Sequence, residues 1–388
     1  MARDADRILT THVGSLVRPP KLVEYIDAME SGLAVNQTAF DELLQQSIDE
    51  VVRRQQQAGI DIVSDGEFGK FRSWNFYVLA RLGGIEEREI IESQGGSRDR
   101  QLFPEFYAEY FPTQKLPKRG TVFTVGPVTY TGHAALRKDI EIFKKSLKGV
   151  DVEGFLPVVA PASAVPMFKN EYYKNEEEAI FAVAEALREE YKTIVDSGLY
   201  VQIDDAFLPY VYDLLFGSSN LEGFRKWAQV RVDALNHALE GIPEEKVRYH
   251  ICWGSFNTPH VGDVPLSDIV DLVTQVKAGA YCIEMGNPRH EHEWRVWETA
   301  KLPAGRKLIP GVISHSTNVV EHPELVAERL VRLAKLVGRE NVLGGTDCGF
   351  AQSPHVRRVH PTIQWAKLEA LAEGARIASR ELWGRKAA

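Results

Sequence analysis

Residues 177–205 read EEAIFAVAEALREEYKTIVDSGLYVQIDD. Ile180, Val183, Leu187, Tyr191 and Ile194 recur there at steps of three and four, the spacing that lines one face of an α-helix over Glu177–Asp196. Gly198 offers that helix a C-terminal stop, and Leu199–Asp204 is a short apolar run that reads as a buried strand. The same unit recurs along the chain. Gly59 and Gly279 also stand at the mouths of apolar runs, and helical periodicity returns in Leu325–Val337 and Ile363–Ala378. The candidate strands are Ile8–Ser15, Gly59–Ser64, Thr121–Val125, Phe155–Ala160, Leu199–Asp204, Val247–Trp253, Ala280–Glu284, Leu308–Ile313 and Asn341–Thr346. Strands separated by helices pair in parallel, because a parallel neighbour needs a long crossover. Eight such units in roughly 350 residues predict an α/β fold, a (β/α)8 TIM barrel with insertions in its βα loops. Residues 1–388 are expected to form a single domain. Nine strands are one too many, so either Thr121–Val125 or Phe155–Ala160 lies outside the barrel. The longest insertion is expected at Gly83–Lys118.

The 388 residues carry 46 Lys and Arg against 54 Asp and Glu, a formal net charge of -8. An acidic balance argues against nucleic acid as a partner, since phosphate neutralisation needs a basic surface. The opening Met-Ala-Arg-Asp-Ala-Asp-Arg is charged and lacks the apolar core of a secretory signal. No apolar run is long enough to span a bilayer, so the expectation is a cytoplasmic enzyme with no membrane partner, compatible with a homo-oligomer. The three cysteines, Cys252, Cys282 and Cys348, are too few for a disulfide framework and read as buried hydrophobes or metal ligands.

Their neighbours separate those readings. His250 and Cys252 form His-Ile-Cys near a strand end, and residues two apart on a strand share a face. Glu284 ends the next strand and Cys348 follows the last. A barrel gathers its chemistry at the C-terminal strand ends. One imidazole, two thiolates and one carboxylate there would suit tetrahedral zinc. A strand cysteine is more often core, but two of three at strand ends beside a histidine or an acidic residue is a coincidence that leaves metal and core evenly balanced on spacing alone. Cys282 shares the face of Glu284 and is the alternative ligand; Glu284, nearer the mouth, is preferred and Cys282 is assigned to the core. Ser15, Glu67, Asp204, Asp205 and His315 also fall at strand ends, where Ser and Asp can equally cap helices. The loop Asn287-Pro-Arg-His-Glu-His-Glu-Trp294 is expected to cap a helix and present Arg289 or His290 to a ligand.

From Thr-Thr-His-Val-Gly-Ser15 to Gly-Thr-Asp-Cys-Gly349, these motifs resemble the cobalamin-independent methionine synthase superfamily. The resemblance implies zinc as cofactor, held by His250, Cys252, Glu284 and Cys348. It also implies a thiol pocket at Gly14-Ser15, Glu67 and Asp204-Asp205, with His315 moving a proton. Gly126-Pro127-Val128-Thr129 matches a further family segment, expected to be structural. There are departures. Full-length family members carry a second, N-terminal half for which 388 residues leave no room. The family's Ile-Asp-Glu-Pro-Ala is Ile203-Asp-Asp-Ala-Phe207 here. The Asn287–Glu293 loop looks like that of a shorter branch, which includes epoxyalkane:coenzyme M transferase. Acids suit a thiol bearing an amine, whereas a sulfonate thiol would call for cations such as Arg18 or Arg289.

The expected activity is therefore alkyl transfer to a small thiol, by methyl transfer to homocysteine or by epoxide opening. A free thiol of pKa about 8.5 is mostly protonated at neutral pH, and zinc binding removes that proton. The partners expected are the thiol and an alkyl donor. A zinc hydrolase that activates water and a non-catalytic thiol- or metal-binding barrel are the competing readings. No glycine fingerprint for nicotinamide, flavin or phosphate is present.

Overall fold

The computed structural model describes residues 6–89, 96–114 and 120–384. Its strands are β1 (Ile62–Val63), β2 (Leu82–Arg88), β3 (Thr121–Tyr130), β4 (Glu153–Val159), β5 (Lys169–Asn170), β6 (Tyr200–Asp204), β7 (Val247–Ile251), β8 (Ala280–Ile283), β9 (Lys307–Ile313) and β10 (Gly345–Thr346). Seven of them form one parallel sheet in the order β1-β4-β6-β7-β8-β9-β10. The sheet curls until both of its edges reach one segment: Thr11 bridges to Ile62 and Thr10 to Gly344. The bridges are backbone hydrogen bonds, Ile62 N to Thr10 O at 3.1 Å and Thr11 N to Gly344 O at 2.9 Å.

The expected strand Ile8–Ser15 is thus reduced to two bridges. Beyond Thr11 the chain turns away through Gly14, whose φ of 135° and whose distance to Pro157 (2.8 Å from a Cβ, were there one) admit only glycine. Phe155 belongs to the main sheet as part of β4, so Thr121–Val125 is the surplus strand. It is the start of β3, which pairs antiparallel with β2 and parallel with β5 in a separate three-stranded sheet. The insertion expected at Gly83–Lys118 begins inside β2 and continues as helices Arg98–Leu102 and Pro104–Thr113. Its residues 90–95 and 115–118 lie outside the described residues.

Helix Glu176–Asp196 shows how the units are held. Asn175 caps it by accepting from Glu178 N, and Glu176, Glu177 and Glu178 put negative charge on its positive end. Ile180, Val183, Leu187, Tyr191 and Ile194 are buried against the outer face of the sheet, and Tyr191 donates its hydroxyl proton to Val159 O at 2.6 Å. The inner face has a small core of its own, in which Ile62, Phe155, Tyr200, Ala280, Cys282, Ile309 and Leu343 meet from six places along the sheet. A curled sheet with cores on both faces leaves its strand ends as the place where polar side chains can gather. Among the described residues, no helix is long and apolar enough to cross a membrane.

Candidate metal and thiol site

Strand register sets the first contacts. Asp204 on β6 is paired with His250 on β7, and His250 with Cys282 on β8. Cys252 lies just past the end of β7, on the same face as His250, and Cys348 lies two residues past β10. Ligand atoms of His250, Cys252 and Cys348 all fall within 4.8 Å of one another, and all three residues are buried. The two sulfurs are 3.7 Å apart. His250 Nδ1 faces Cys282 O at 3.2 Å, and its Nε2 is buried without a hydrogen-bond partner. With the Nδ1 proton donated to that carbonyl, Nε2 carries an unspent lone pair, the usual posture of a metal-binding imidazole. The hydrogen bond with Cys348, and then burial, push the Cys252 thiol well up, while burial pushes His250 down. Thiols crowded together and an imidazole kept neutral form a donor set that fits a soft or borderline divalent cation such as zinc.

Glu284 stands in a second group. Its Oε2 accepts from Trp253 N at 3.0 Å and its Oε1 from Asn287 Nδ2 at 2.7 Å. Its carboxylate falls within 4.8 Å of His315 and Asp347 rather than joining the three other expected ligands at that distance. Burial, reinforced by the charge of Asp347, pushes Glu284 up to about 8. Asp347 accepts from Met285 N at 2.9 Å and Gly286 N at 2.6 Å, which ties the end of β8 to the segment after β10. Burial nevertheless pushes it up to about 6. His315 is buried with neither ring nitrogen partnered, and burial, then the nearby Arg358 charge, holds it down to about 3. Cys282 belongs to neither group; it packs in the inner core with Arg248 Nη2 at 3.9 Å from its sulfur.

A cavity opens over the first group. Ser15, Glu67, Asp204, His250, Cys252 and Cys348 line it, with Trp74, Phe207, Tyr210, Phe256 and Arg358 around them. Gly349 lets the chain lie against Ser15, since a Cβ there would come 2.0 Å from Ser15 Oγ. Glu67 has a φ of 60°, a left-handed conformation that costs a non-glycine residue of order 1–3 kcal/mol. Arg18 holds the strained turn by donating from Nη2 to both Glu67 O and Lys70 O. It is buried behind Glu67 and does not line the cavity. Burial pushes Asp204 up to about 7, with His250 opposing and Glu67 adding to the shift.

Three expected residues point elsewhere. Asp205 accepts from Ser163 Oγ at 2.7 Å and Tyr249 OH at 2.9 Å and does not line the cavity. Arg289 is exposed, 3.3 Å from Val261 O, and is also outside the lining. His290 is buried between Asp263 and Glu293, each at 2.9 Å, and stacks on Trp253 with ring centroids 4.0 Å apart. It braces the residue next to Cys252 instead of facing a ligand. Two residues escaped the sequence reading. Asp347 could have been noticed as the acid beside Cys348, but Arg358 sits in a loop, Ser-Pro-His-Val-Arg-Arg-Val359, whose spacing carries no signal.

Residues 158–366 match the family model described as cobalamin-independent synthase, catalytic domain. The chain belongs to this family. The matched span contains both groups of candidate ligands, while Ser15 and Glu67 lie before it. Among curated relatives of this cobalamin-independent synthase chain, a methionine synthase of Sulfolobus acidocaldarius is 25% identical over 376 residues, 96% of this chain and 93% of that one. A 2-hydroxypropyl-CoM lyase of Xanthobacter autotrophicus is 24% identical over 375 residues, 88% of each chain. Among solved structures, a B12-independent methionine synthase from a Shewanella species, in complex with selenomethionine, superposes with a TM-score of 0.72 at 20% identity. That match covers 98% of this chain and 100% of the other, and it speaks for the fold.

Proposed function

We propose that this family member is a zinc-dependent enzyme that transfers an alkyl group to the sulfur of a small thiol. The carrying observation is the convergence of His250, Cys252 and Cys348 within 4.8 Å on the wall of a cavity that also exposes Glu67 and Asp204. The reading takes all of the chain as one domain and the Thr10–Thr11 segment as the eighth strand of a closed (β/α)8 barrel, supported by its bridges to both sheet edges. Its setting is cytoplasmic.

His250, Cys252 and Cys348, with Glu284 as fourth ligand, would hold the zinc, which lowers the pKa of a bound thiol so that its sulfur is nucleophilic at neutral pH. The chain's own residues do the rest. Glu67, Asp204 and the Ser15 hydroxyl receive the polar end of the thiol and aim its sulfur toward the two cysteines. Asp205, fixed by Ser163 and Tyr249, keeps the end of β6 in place for Asp204. Trp74, Phe207, Tyr210 and Phe256 give the alkyl donor an apolar wall that excludes water. A carbon–sulfur bond then forms as the carbon's bond to its oxygen or nitrogen leaving atom breaks. That atom gains the proton the thiol gave up: neutral His315, whose ring nitrogens have no hydrogen-bond partner, takes it on its free lone pair and passes a proton to the leaving atom, returning to the neutral imidazole. The two named relatives, a methionine synthase and a 2-hydroxypropyl-CoM lyase, support chemistry at sulfur.

The test is elemental analysis followed by zinc-edge X-ray absorption with homocysteine, coenzyme M, glutathione and cysteine in turn. About one zinc per chain, and one added sulfur neighbour with one of these thiols, are expected. A protein without zinc affinity, or a zinc environment that no thiol alters, would overturn the proposal.

A further inference from the structure

Arg358 lines the same cavity, and its guanidinium is held by oxygens that carry no charge. Nε donates to Gln352 Oε1 at 3.0 Å, Nη1 to Gln114 Oε1 at 3.2 Å and Nη2 to Ser255 Oγ at 3.3 Å. Its Cζ lies over the Phe256 ring, 4.8 Å from the centroid. Gln352 is itself fixed, donating from Nε2 to Gly349 O at 2.6 Å. The groups that favour the charged form of Arg358 are Tyr110 and Cys348, and burial outweighs them, so its pKa is lowered. No carboxylate is among those groups.

Arg358 is half-buried, and three of the more deeply buried arginines are matched with acids. Arg81 pairs with Asp139 and Glu190, Arg231 with Glu176, and Arg329 with Glu291. Arg18 and Arg248 lack such a pair but are turned onto backbone carbonyls and do not line the cavity. Among the described residues, Arg358 is the one of these arginines that both lines the cavity and lacks a carboxylate partner. Drawing a guanidinium partly out of water without an opposite charge has a cost, and the three neutral acceptors occupy part of its five N–H donors while leaving its field unmatched. The cavity acids, Glu67 and Asp204, do not figure among the groups that stabilise Arg358. The cavity therefore has a negative pole, where Glu67 has Lys70 Nζ at 3.6 Å, and a positive pole at Arg358 that no acid of the described residues matches.

Building on the thiol reading above, we infer that Arg358 receives a carboxylate or sulfonate carried by the thiol substrate, while Glu67 and Asp204 receive any ammonium group it bears. Arg358 lines the same cavity as His250, Cys252 and Cys348, so one small thiol can present its sulfur to that group and its acid group to Arg358. A planar guanidinium held at three corners is pre-set for the two-oxygen face of such an anion. Arg358 is then a specificity-determining residue, and the enzyme selects acidic thiols over neutral ones.

The experiment titrates zinc-loaded wild type and R358Q by calorimetry with 3-mercaptopropionate, 2-mercaptoethanesulfonate, 2-mercaptoethanol and 2-aminoethanethiol. R358Q should bind the two acidic thiols about 10- to 100-fold more weakly and the other two within about threefold of wild type. R358K, which keeps the charge without the fork, should fall between. Zinc content and thermal melting report whether the variants are folded. Equal weakening of all four thiols would make Arg358 a structural residue, and unchanged binding of the acidic pair would show that another group reads the anion; either overturns the inference alone. If wild type binds none of the four, the thiol reading fails and this inference with it.

Discussion

The brace behind Cys252 offers a quantitative test in the variant Asp263→Asn. Asp263 Oδ2 accepts from His260 Nδ1 and from His290 Nε2, both at 2.9 Å. His290 donates onward to Glu293 Oε2, whose other oxygen accepts from Leu266 N at 2.7 Å. The imidazole of His290 lies flat on Trp253, and Trp253 donates its backbone N–H to Glu284 and its indole N–H to Val264 O. Burial opposes the charge of both histidines. The hydrogen bonds and charge of Asp263, with Glu293 and Glu284 beside His290, overcome it and raise His260 to about 9 and His290 to about 10. Both values lie above the unfolded value of about 6.5. The stabilisation is therefore complete below that pH and is lost as pH rises through 9 to 10. Removing one partner of a buried pair costs about 3–5 kcal/mol, and because these histidines can shed their protons we expect the lower end, about 3 kcal/mol, near pH 6. Urea midpoints at pH 6, 8 and 10 measure it. The gap between wild type and variant should be widest at pH 6 and shrink by pH 10, where the wild-type histidines are themselves losing charge. A gap that does not change with pH, or no gap at pH 6, would refute the reasoning.

Cys252→Ser and Cys348→Ser should each lose most of the zinc by elemental analysis, whereas Cys282→Ser, in the inner core, should keep it at a modest cost in stability; metal retained in both ligand variants would remove the site. Asp204→Asn keeps the acceptor that Gln202 Nε2 uses at 2.8 Å, so the fold should survive. It should weaken an amine-bearing thiol by about tenfold or more while zinc content stays constant, and calorimetry with homocysteine reads both. His315→Asn should hold zinc and thiol normally yet turn over roughly 10²–10⁴-fold more slowly, with partial recovery on a donor whose leaving group is more acidic. An unchanged single-turnover rate would assign the proton to another residue.

How much of this was readable from the chain follows from what kind of order each feature depends on. The repeating βα units announce themselves through helical spacing, as in Ile180 to Ile194, and through the glycines before several strands, Gly59, Gly198 and Gly279. Those are local signals, and the parallel sheet follows from them. Strand-end position is nearly as local: His250 and Cys252 share a face because of the two-residue strand period, wherever the sheet is placed. The first-strand segment was over-read because its length depends on tertiary geometry, the departure at Gly14 around Pro157, that no period encodes. β2 was missed for a related reason: Leu-Gly-Gly-Ile-Glu-Glu-Arg88 is too polar and glycine-rich to look like a strand until β3 pairs with it. Side-chain direction was the hardest to read. Adjacent acids, Asp204 and Asp205, diverge to the cavity and to Tyr249 respectively, and His290, which sequence presents as a free ligand, is consumed by Asp263 and Glu293.

Side-chain direction also separates Arg358 from the cations that the sequence offers. Arg18 and Arg289 lie beside motifs, Gly-Ser15 and Asn-Pro288, but Arg18 is buried outside the cavity lining with Nη2 on the Glu67 turn, and Arg289 is at the surface. Arg358 reaches the cavity only because the loop after Gly349 folds back through Gln352, and because Gln114 of the insertion and Ser255 of the loop after β7 meet it there. Three segments far apart in the chain must be in place before that guanidinium has a direction. The strand ends carry the proposed zinc ligands and the cavity acids, while the loops and the insertion carry the group proposed to choose among thiols. Changes in substrate preference within this family should then concentrate in those loops, where a residue can change partners without disturbing the sheet that holds His250, Cys252 and Cys348 together.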